Sequence, residues 1–349
     1  MKITTVCLPG LEPFLGKEVQ ALGLKDTLLD VYRANLLLRT AERVLVRVGE
    51  FHAAAFSELE KKAGRLPWKE FIRPGVPVSV KASCRRSRLY HERGVAERVA
   101  RAASSGSSGP PQLVCVRIER DLCTVDIDSS GEPLHRRGYR FEGAKAPLRE
   151  TLASALLMAC GWDRESPLLD PFCGSGTIPI EAALLAGGVQ PGRSRRFAFM
   201  DWPGFDRKAW ESLLLRDAPL PTPRIMASDR DAGAVRAAQA NAERAVVADR
   251  IVFSCRAVSA VEPPPGPGWV LTNPPYGVRL KGKGDLRDLH AQFGRTLKRR
   301  CPEWHVAVLA AVRPELGFPV EPTAAALNGG LKVRLWAGVC PQNCMMPRP

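Results

Sequence analysis

Along the first sixty residues, apolar positions gather in short clusters divided by polar turns, a pattern that predicts a small α/β unit. Ile3 to Leu8 reads as a strand, Leu11 to Ala21 as a helix and Leu28 to Leu38 as strand-rich. Thr40 to Val48 sets Val44, Leu45 and Val48 where one face of a helix would place them. Further on, Val76 to Ala82 predicts a strand and the stretch around Tyr90 to Ala103 a basic helix. Leu113 to Ile118 and Leu122 to Ile127 stand at hairpin spacing. The intervening Ser104-Ser-Gly-Ser-Ser-Gly-Pro-Pro111 is a turn rather than a domain linker, because strand pattern resumes at once. This half is α+β and built from short strands.

The pattern changes near Ala146. Apolar helices are expected at Thr151 to Cys160 and Ile178 to Ala186, and an Ala-rich one at Ala232 to Ala245. Between them fall short buried strands at Pro167 to Asp170, Arg224 to Ser228, Ile251 to Phe253, Val270 to Thr272 and Val306 to Val312. Strands alternating with helices predict a parallel, doubly wound α/β sheet, in which ligands bind at the carboxyl ends of the strands.

Composition narrows the class of protein. With 349 residues, 45% of them hydrophobic and 25% charged, the chain is a folded protein of two or three domains and not a disordered or fibrous one. Its 51 Lys and Arg against 36 Asp and Glu give a net charge of +15, which favours a polyanionic partner such as nucleic acid or an anionic membrane. The excess is spread evenly, with 25 basic and 17 acidic residues up to Lys145 and 26 and 19 beyond it. The ten cysteines include no Cys-x-x-Cys pair, so reduced thiols are expected and no metal site. The amino terminus, interrupted by Thr and Pro, makes a poor signal-peptide core, and no apolar run approaches membrane-spanning length, so a cytoplasmic protein is expected.

Three motifs carry chemistry. Leu168-Leu-Asp-Pro-Phe-Cys-Gly-Ser-Gly-Thr177 passes from a strand end through a Gly-rich turn into a helix, whose free N–H groups and close backbone suit a ligand. A dinucleotide fingerprint would need a third glycine where Pro179 stands and an acid about twenty residues on, so a nicotinamide cofactor is not expected. Asp170, preceding the glycines, instead suits a ligand with a positive group such as the amino group of S-adenosylmethionine. Asp229 ends the next strand, where a carboxylate can accept from both ribose hydroxyls, while Asp231 directly precedes a helix and reads as its N-cap. In Leu271-Thr-Asn-Pro-Pro-Tyr-Gly277, Pro274 and Pro275 fix a rigid turn after a strand and present Asn273 and Tyr276. The Asn carbonyl can accept from an exocyclic amine, a backbone carbonyl of the turn can take the other proton, and the Tyr ring can stack on a base.

These motifs, in this order, resemble the amino-methylating S-adenosylmethionine-dependent methyltransferases. Ser130-Gly-Glu-Pro-Leu-His-Arg-Arg-Gly-Tyr-Arg140, Ala146-Pro-Leu-Arg-Glu-Thr-Leu152, Phe197-Ala-Phe-Met-Asp-Trp202 and Asn35-Leu-Leu-Leu-Arg-Thr-Ala-Glu-Arg-Val44 narrow the resemblance to THUMP-domain guanine-N2 RNA methyltransferases, particularly the bacterial group acting on large-subunit ribosomal RNA. The resemblance implies an α/β protein with a carboxyl-terminal Rossmann-like class I methyltransferase domain over 146–349. Before it would lie a ferredoxin-like segment over 1–60 and a THUMP-like RNA-binding domain over 61–145. It further implies S-adenosylmethionine held by Pro147, Thr151, Asp170, Phe172, Cys173, Gly174, Gly176, Thr177, Asp229 and Asn273, with Asn273, Pro274, Pro275 and Tyr276 as the catalytic turn. Two positions depart from the family's pattern: Ala257 stands where an acid usually meets the adenine, and Val278 where relatives often carry Glu.

RNA would meet the basic window from Lys81 to Arg101, through Lys81, Arg85, Arg86 and Arg88, and would be gripped near the site by Arg136, Arg137 and Arg140. The expected substrate is 23S ribosomal RNA, with transfer RNA as the alternative and a non-catalytic RNA-binding or assembly protein as the reading from another class. A monomer is expected.

Overall fold

The computed structural model describes the whole chain except residues 104–105, 107–108, 141–147, 215–222, 276–282 and 343–349, and the side chains of 283–285. The first half contains β1 (Ile3–Cys7), α1 (Glu12–Leu22), α2 (Leu28–Leu37), β2 (Ala41–His52), α3 (Phe56–Ala63), β3 (Val78–Arg85), α4 (Glu92–Ala103), β4 (Gln112–Glu119) and β5 (Leu122–Asp128). There follow α5 (Glu150–Cys160), β6 (Leu168–Asp170), α6 (Thr177–Ala186), α7 (Arg207–Leu213), β7 (Ile225–Asp229), α8 (Ala232–Arg244) and β8 (Ile251–Cys255). The chain closes with β9 (Trp269–Thr272), α9 (Lys283–Arg300), β10 (His305–Ala310), β11 (Glu321–Asn328) and β12 (Leu331–Val339).

These elements form two compact units, neither continuous in sequence. One comprises Met1–Cys7, Glu18–Leu134 and Gly192–Leu215; the other comprises Leu8–Lys17, His135–Pro191 and Arg216–Pro349. The first unit is built on a five-stranded sheet in the order β1-β2-β5-β4-β3. All its pairs are antiparallel except β3 with β4. The buried side of the sheet carries Val44 and Val46 of β2, Val125 and Ile127 of β5 and Val114, Val116 and Ile118 of β4, the period-2 alternation of a half-buried strand.

Two expectations are corrected here. Residues 28–38 form a helix and not a strand, because Thr27 and Asp30 build a reciprocal capping box: Asp30 N donates to Thr27 Oγ1 (3.2 Å) and Thr27 N to Asp30 Oδ2 (3.2 Å). Residues 40–48 form a strand and not a helix, since Val44, Val46 and Val48 alternate with Arg43, Leu45 and Arg47 and β-branched residues fit a pleated face. The segment from Gly192 onward supplies this unit with an aromatic cluster. Phe199 stacks on Tyr32 (centroids 4.6 Å apart), Trp210 meets Tyr32 edge-on (6.3 Å), and Trp202 Nε1 donates to Gln112 Oε1 (3.1 Å).

The second unit holds a seven-stranded sheet in the order β11-β12-β10-β9-β6-β7-β8. Strands β6 to β10 are parallel, as their uninterrupted apolar runs require. β12 runs antiparallel to β10, and β11 antiparallel to β12. From β6 the chain winds outward to β7 and β8, then returns to the other side of β6 as β9 and β10. The switch point therefore lies between β6 and β9, where a crevice opens at the carboxyl ends of the strands. Among the described residues no helix is long and apolar enough to cross a membrane.

Candidate active site

A cavity of about 710 Å³ opens at that switch point, within the size range of small-molecule sites. Its wall brings together Asp170 and Phe172 after β6, Gly174 in the turn, Thr177 at the start of α6, Asp229 at the end of β7, and Asn273 after β9. Cys173 and Pro275 line it as well. The three motifs, separated by up to a hundred residues in sequence, thus converge because each ends a parallel strand.

Asp170 is 1% exposed. Its Oδ1 accepts from Thr272 Oγ1 at 2.6 Å and from Phe172 N at 3.2 Å. Burial pushes its carboxyl up to about 7 against these hydrogen bonds, and neighbouring Asp229 adds to the rise. Among the described residues no cation pairs with this carboxylate, which suits a ligand that brings positive charge. Asp229 braces the turn: its Oδ2 accepts from Gly174 N (3.1 Å) and its Oδ1 from Asp231 N (3.0 Å). Asp231 caps α8, accepting from Gly233 N (2.7 Å) and Ala234 N (3.3 Å), which separates the two acids as the sequence suggested. Burial also holds the Cys173 thiol protonated, with its pKa raised.

Asn273 is the most informative side chain. Its Oδ1 is buried and has no hydrogen-bond partner among the described residues, although the residue lines the cavity. A buried amide oxygen without a donor is costly unless a ligand supplies one. The residues present therefore fit a ligand that carries both a cation for Asp170 and, beside it, an amine for Asn273.

Other sequence expectations are redistributed. Gly176 lies outside the cavity lining and serves packing: a Cβ there would stand 2.9 Å from Ala238 Cβ on α8, and its φ of +84° favours glycine. Thr151 is fully buried in α5, and Pro274 is buried outside the lining. Pro147 and Tyr276 fall outside the described residues.

Two expected RNA contacts are corrected. Arg137 is 4% exposed and pairs with buried Glu181 (3.7 Å). Arg140 donates from Nη2 to Leu148 O (3.1 Å) and Thr177 Oγ1 (2.6 Å) and pairs with Glu150 (3.2 Å). Both act inside the fold, because α5 and α6 carry buried acids, Glu150 and Glu181, that need cations. Arg136 is exposed.

Lys81, Arg85, Arg86 and Arg88 are exposed, the first two on the solvent face of edge strand β3. Arg88 lies 3.9 Å from Asp121. On α4, by contrast, Arg93 pairs with Glu97 (2.9 Å), Arg101 pairs with Glu60 (3.1 Å) and Arg98 lies over the Phe56 ring (3.9 Å).

Sequence reasoning missed α9, which brings Asp288, Leu289 and Gln292 to the cavity. Its signal was present: Leu286, Leu289, Phe293 and Leu297 recur at helical spacing, and Phe293 packs edge-on against Phe172 (5.3 Å). Ala257, with Val258 and Ser259, lines the cavity beyond β8 and offers no acid there.

Known proteins resemble this chain in sequence and in fold. Residues 137–314 match the family described as RMKL-like, methyltransferase domain, and residues 2–45 match the RlmL ferredoxin-like domain. The ribosomal RNA large subunit methyltransferase K/L of Methylococcus capsulatus is 34% identical over 97% of this chain, which spans about half (51%) of that relative's length. The putative RNA methyltransferase YpsC of Bacillus subtilis is 32% identical over 96% of this chain and 95% of its own. The crystal structure of SMU.472, a putative methyltransferase complexed with S-adenosylhomocysteine (SAH), superposes with a TM-score of 0.84 at 27% identity, covering 97% of this chain and 98% of that one.

Proposed function

The chain belongs to the RMKL-like methyltransferase family, and from that premise we propose that it methylates the exocyclic N2 amine of a guanine in RNA, with 23S ribosomal RNA as the substrate. Its methyl transfer is S-adenosylmethionine-dependent. The observation that carries the guanine reading is the buried Oδ1 of Asn273, without a donor among the described residues, in the cavity that also holds Asp170 and Asp229.

In this reading Asp170 meets the positive amino end of the cofactor and Asp229 its ribose hydroxyls. Thr177 and Gly174 lie on the same wall, as does Phe172. When bound, S-adenosylmethionine supplies a methyl group on a positively charged sulfonium and leaves as the neutral thioether. Asn273 Oδ1 accepts one proton of the guanine amine and a backbone carbonyl of the Pro274-Pro275 turn accepts the other, so that the nitrogen lone pair turns out of conjugation. Tyr276 stacks on the flipped base. No strong general base is required, and the released proton passes to water; positioning and electrostatics supply the rate.

RNA is gathered by the first half, with residues 61–145 acting as a THUMP-like module. The phosphate contacts fall on Lys81, Arg85, Arg86 and Arg88, exposed on β3 and in the turn after it. These activities belong to the cytoplasm.

The test is nucleoside mass spectrometry of ribosomal RNA, transfer RNA and DNA from a deletion strain, followed by treatment with purified protein. Loss and restoration of N2-methylguanosine in 23S RNA is the expected result. A change confined to transfer RNA moves the substrate, and a change confined to N6-methyladenine in DNA overturns the guanine reading. Unchanged N2-methylguanosine in every fraction overturns it too.

A further inference from the structure

Thr272 is the last residue of β9 and the neighbour of Asn273, yet its side chain belongs to the other half of the site. It is fully buried, and its Oγ1 donates to Asp170 Oδ1 at 2.6 Å across the β6–β9 switch point. One strand end therefore carries both the amide left without a donor and the hydroxyl that restrains the cofactor acid.

We propose that Thr272 is a positioning residue for methyl transfer: its hydroxyl holds the Asp170 carboxylate turned for a cationic ligand, and anchors the strand end from which Asn273 projects, given the methyl-transfer reading on which this rests.

The electrostatic setting makes that hydroxyl decisive. Asp170 is removed from water, and the groups that bear on it are Thr272 from β9, the Phe172 N–H after β6 and the like charge of Asp229 from β7. Among the described residues only the first two favour the carboxylate. Cys173 in the turn is a buried, protonated thiol and contributes no charge. Arg230 and Asp288 line the same cavity but are exposed. Burial raises the Asp170 carboxyl, and the Thr272 hydrogen bond opposes that rise. A ligand ammonium then binds the ionised form, and the pH dependence of affinity reports that ionisation.

The test is calorimetric titration of the full chain with S-adenosylmethionine and with SAH between about pH 5.5 and 10. For the unaltered protein, affinity falls about tenfold per pH unit below a midpoint near neutrality. The alkaline limb belongs to the ligand's own α-amino group, near 7.7–8.0, and serves as an internal control. Thr272→Val keeps the shape of the side chain and removes the donor. A hydrogen bond to a charged group has the strength to raise the Asp170 carboxyl by about one to two pH units, so the variant's affinity below neutrality falls about ten- to a hundredfold and converges on that of the unaltered protein only at the alkaline end. Thr272→Ser restores the limb, and Asp170→Asn abolishes it. Thr272→Ala provides the same comparison if the valine variant does not fold.

A loss of affinity that is uniform across pH, or a valine variant with an unmoved acid limb, overturns the positioning role while leaving the enzyme a methyltransferase. Absence of binding to the unaltered chain at every pH overturns the functional reading itself.

Discussion

Gly176 shows how much one residue can decide. It combines a φ of +84° with Ala238 Cβ only 2.9 Å from where its own Cβ would lie, so Gly176→Ala incurs both left-handed strain and a clash with α8. A loss of about 2 kcal/mol or more is expected, seen as a melting temperature several degrees lower, with cofactor affinity falling because the turn shifts. Asn273→Ala should behave in the opposite way, abolishing methyl transfer while calorimetry finds S-adenosylmethionine binding nearly intact. Asp170 makes a prediction about pH. Its folded carboxyl is raised from 3.8 to about 7, so the stability its proton confers is fully present below about pH 4 and is lost as pH rises to 7. Above pH 7 the cofactor-free Asp170→Asn variant should therefore exceed the unaltered protein by on the order of 4 kcal/mol, and below pH 4 the two should converge; denaturant melts at several pH values check this.

At the scale of elements, the contrast between β3 and α4 is the one to exploit. Each cation that contacts phosphate contributes about 0.7–0.9 to the logarithmic salt slope of binding. Lys81→Ala and Arg85→Ala should each flatten that slope by about this amount in filter binding to 23S RNA fragments, whereas Arg98→Ala, whose guanidinium lies over the Phe56 ring, should leave it unchanged. The sequence made the second unit's central strands plain, because their apolar runs end at acids or at Asn-Pro-Pro and alternate with helices. It was less open in the first unit. An apolar run such as Leu28 to Leu38 suits strand or helix equally until Thr27 and Asp30 are recognised as a cap, and Val44-Leu-Val-Arg-Val48 satisfies helical spacing and strand alternation together. The β11–β12 hairpin carries the Gly329-Gly330 turn of a two-residue loop, with φ of +57° and +84°, but Ala324 to Ala326 gives its first strand little β character. In the site, Asp170, Asp229 and Asn273 were legible because strand ends announce them. The role of Thr272 was not, since a hydrogen bond across 102 residues has no local signature.

The whole molecule interleaves its sequence, and this has consequences for any attempt to divide it. The five-stranded unit is incomplete without residues from Gly192 onward, which bring Phe197, Phe199, Trp202 and Trp210 into its core. A fragment ending at Leu134 should retain helix and strand by circular dichroism yet bind a hydrophobic dye and melt without cooperativity. In the full chain, Phe199→Ala removes a fully buried ring stacked on Tyr32 and should cost about 3–5 kcal/mol by denaturant unfolding. The same arrangement acts on the nascent chain. At roughly 5–20 residues per second, the nearly sixty residues between Leu134 and Gly192 keep Tyr32 waiting for its aromatic partners for several seconds during translation, so this amino-terminal unit cannot finish folding first merely because it is made first.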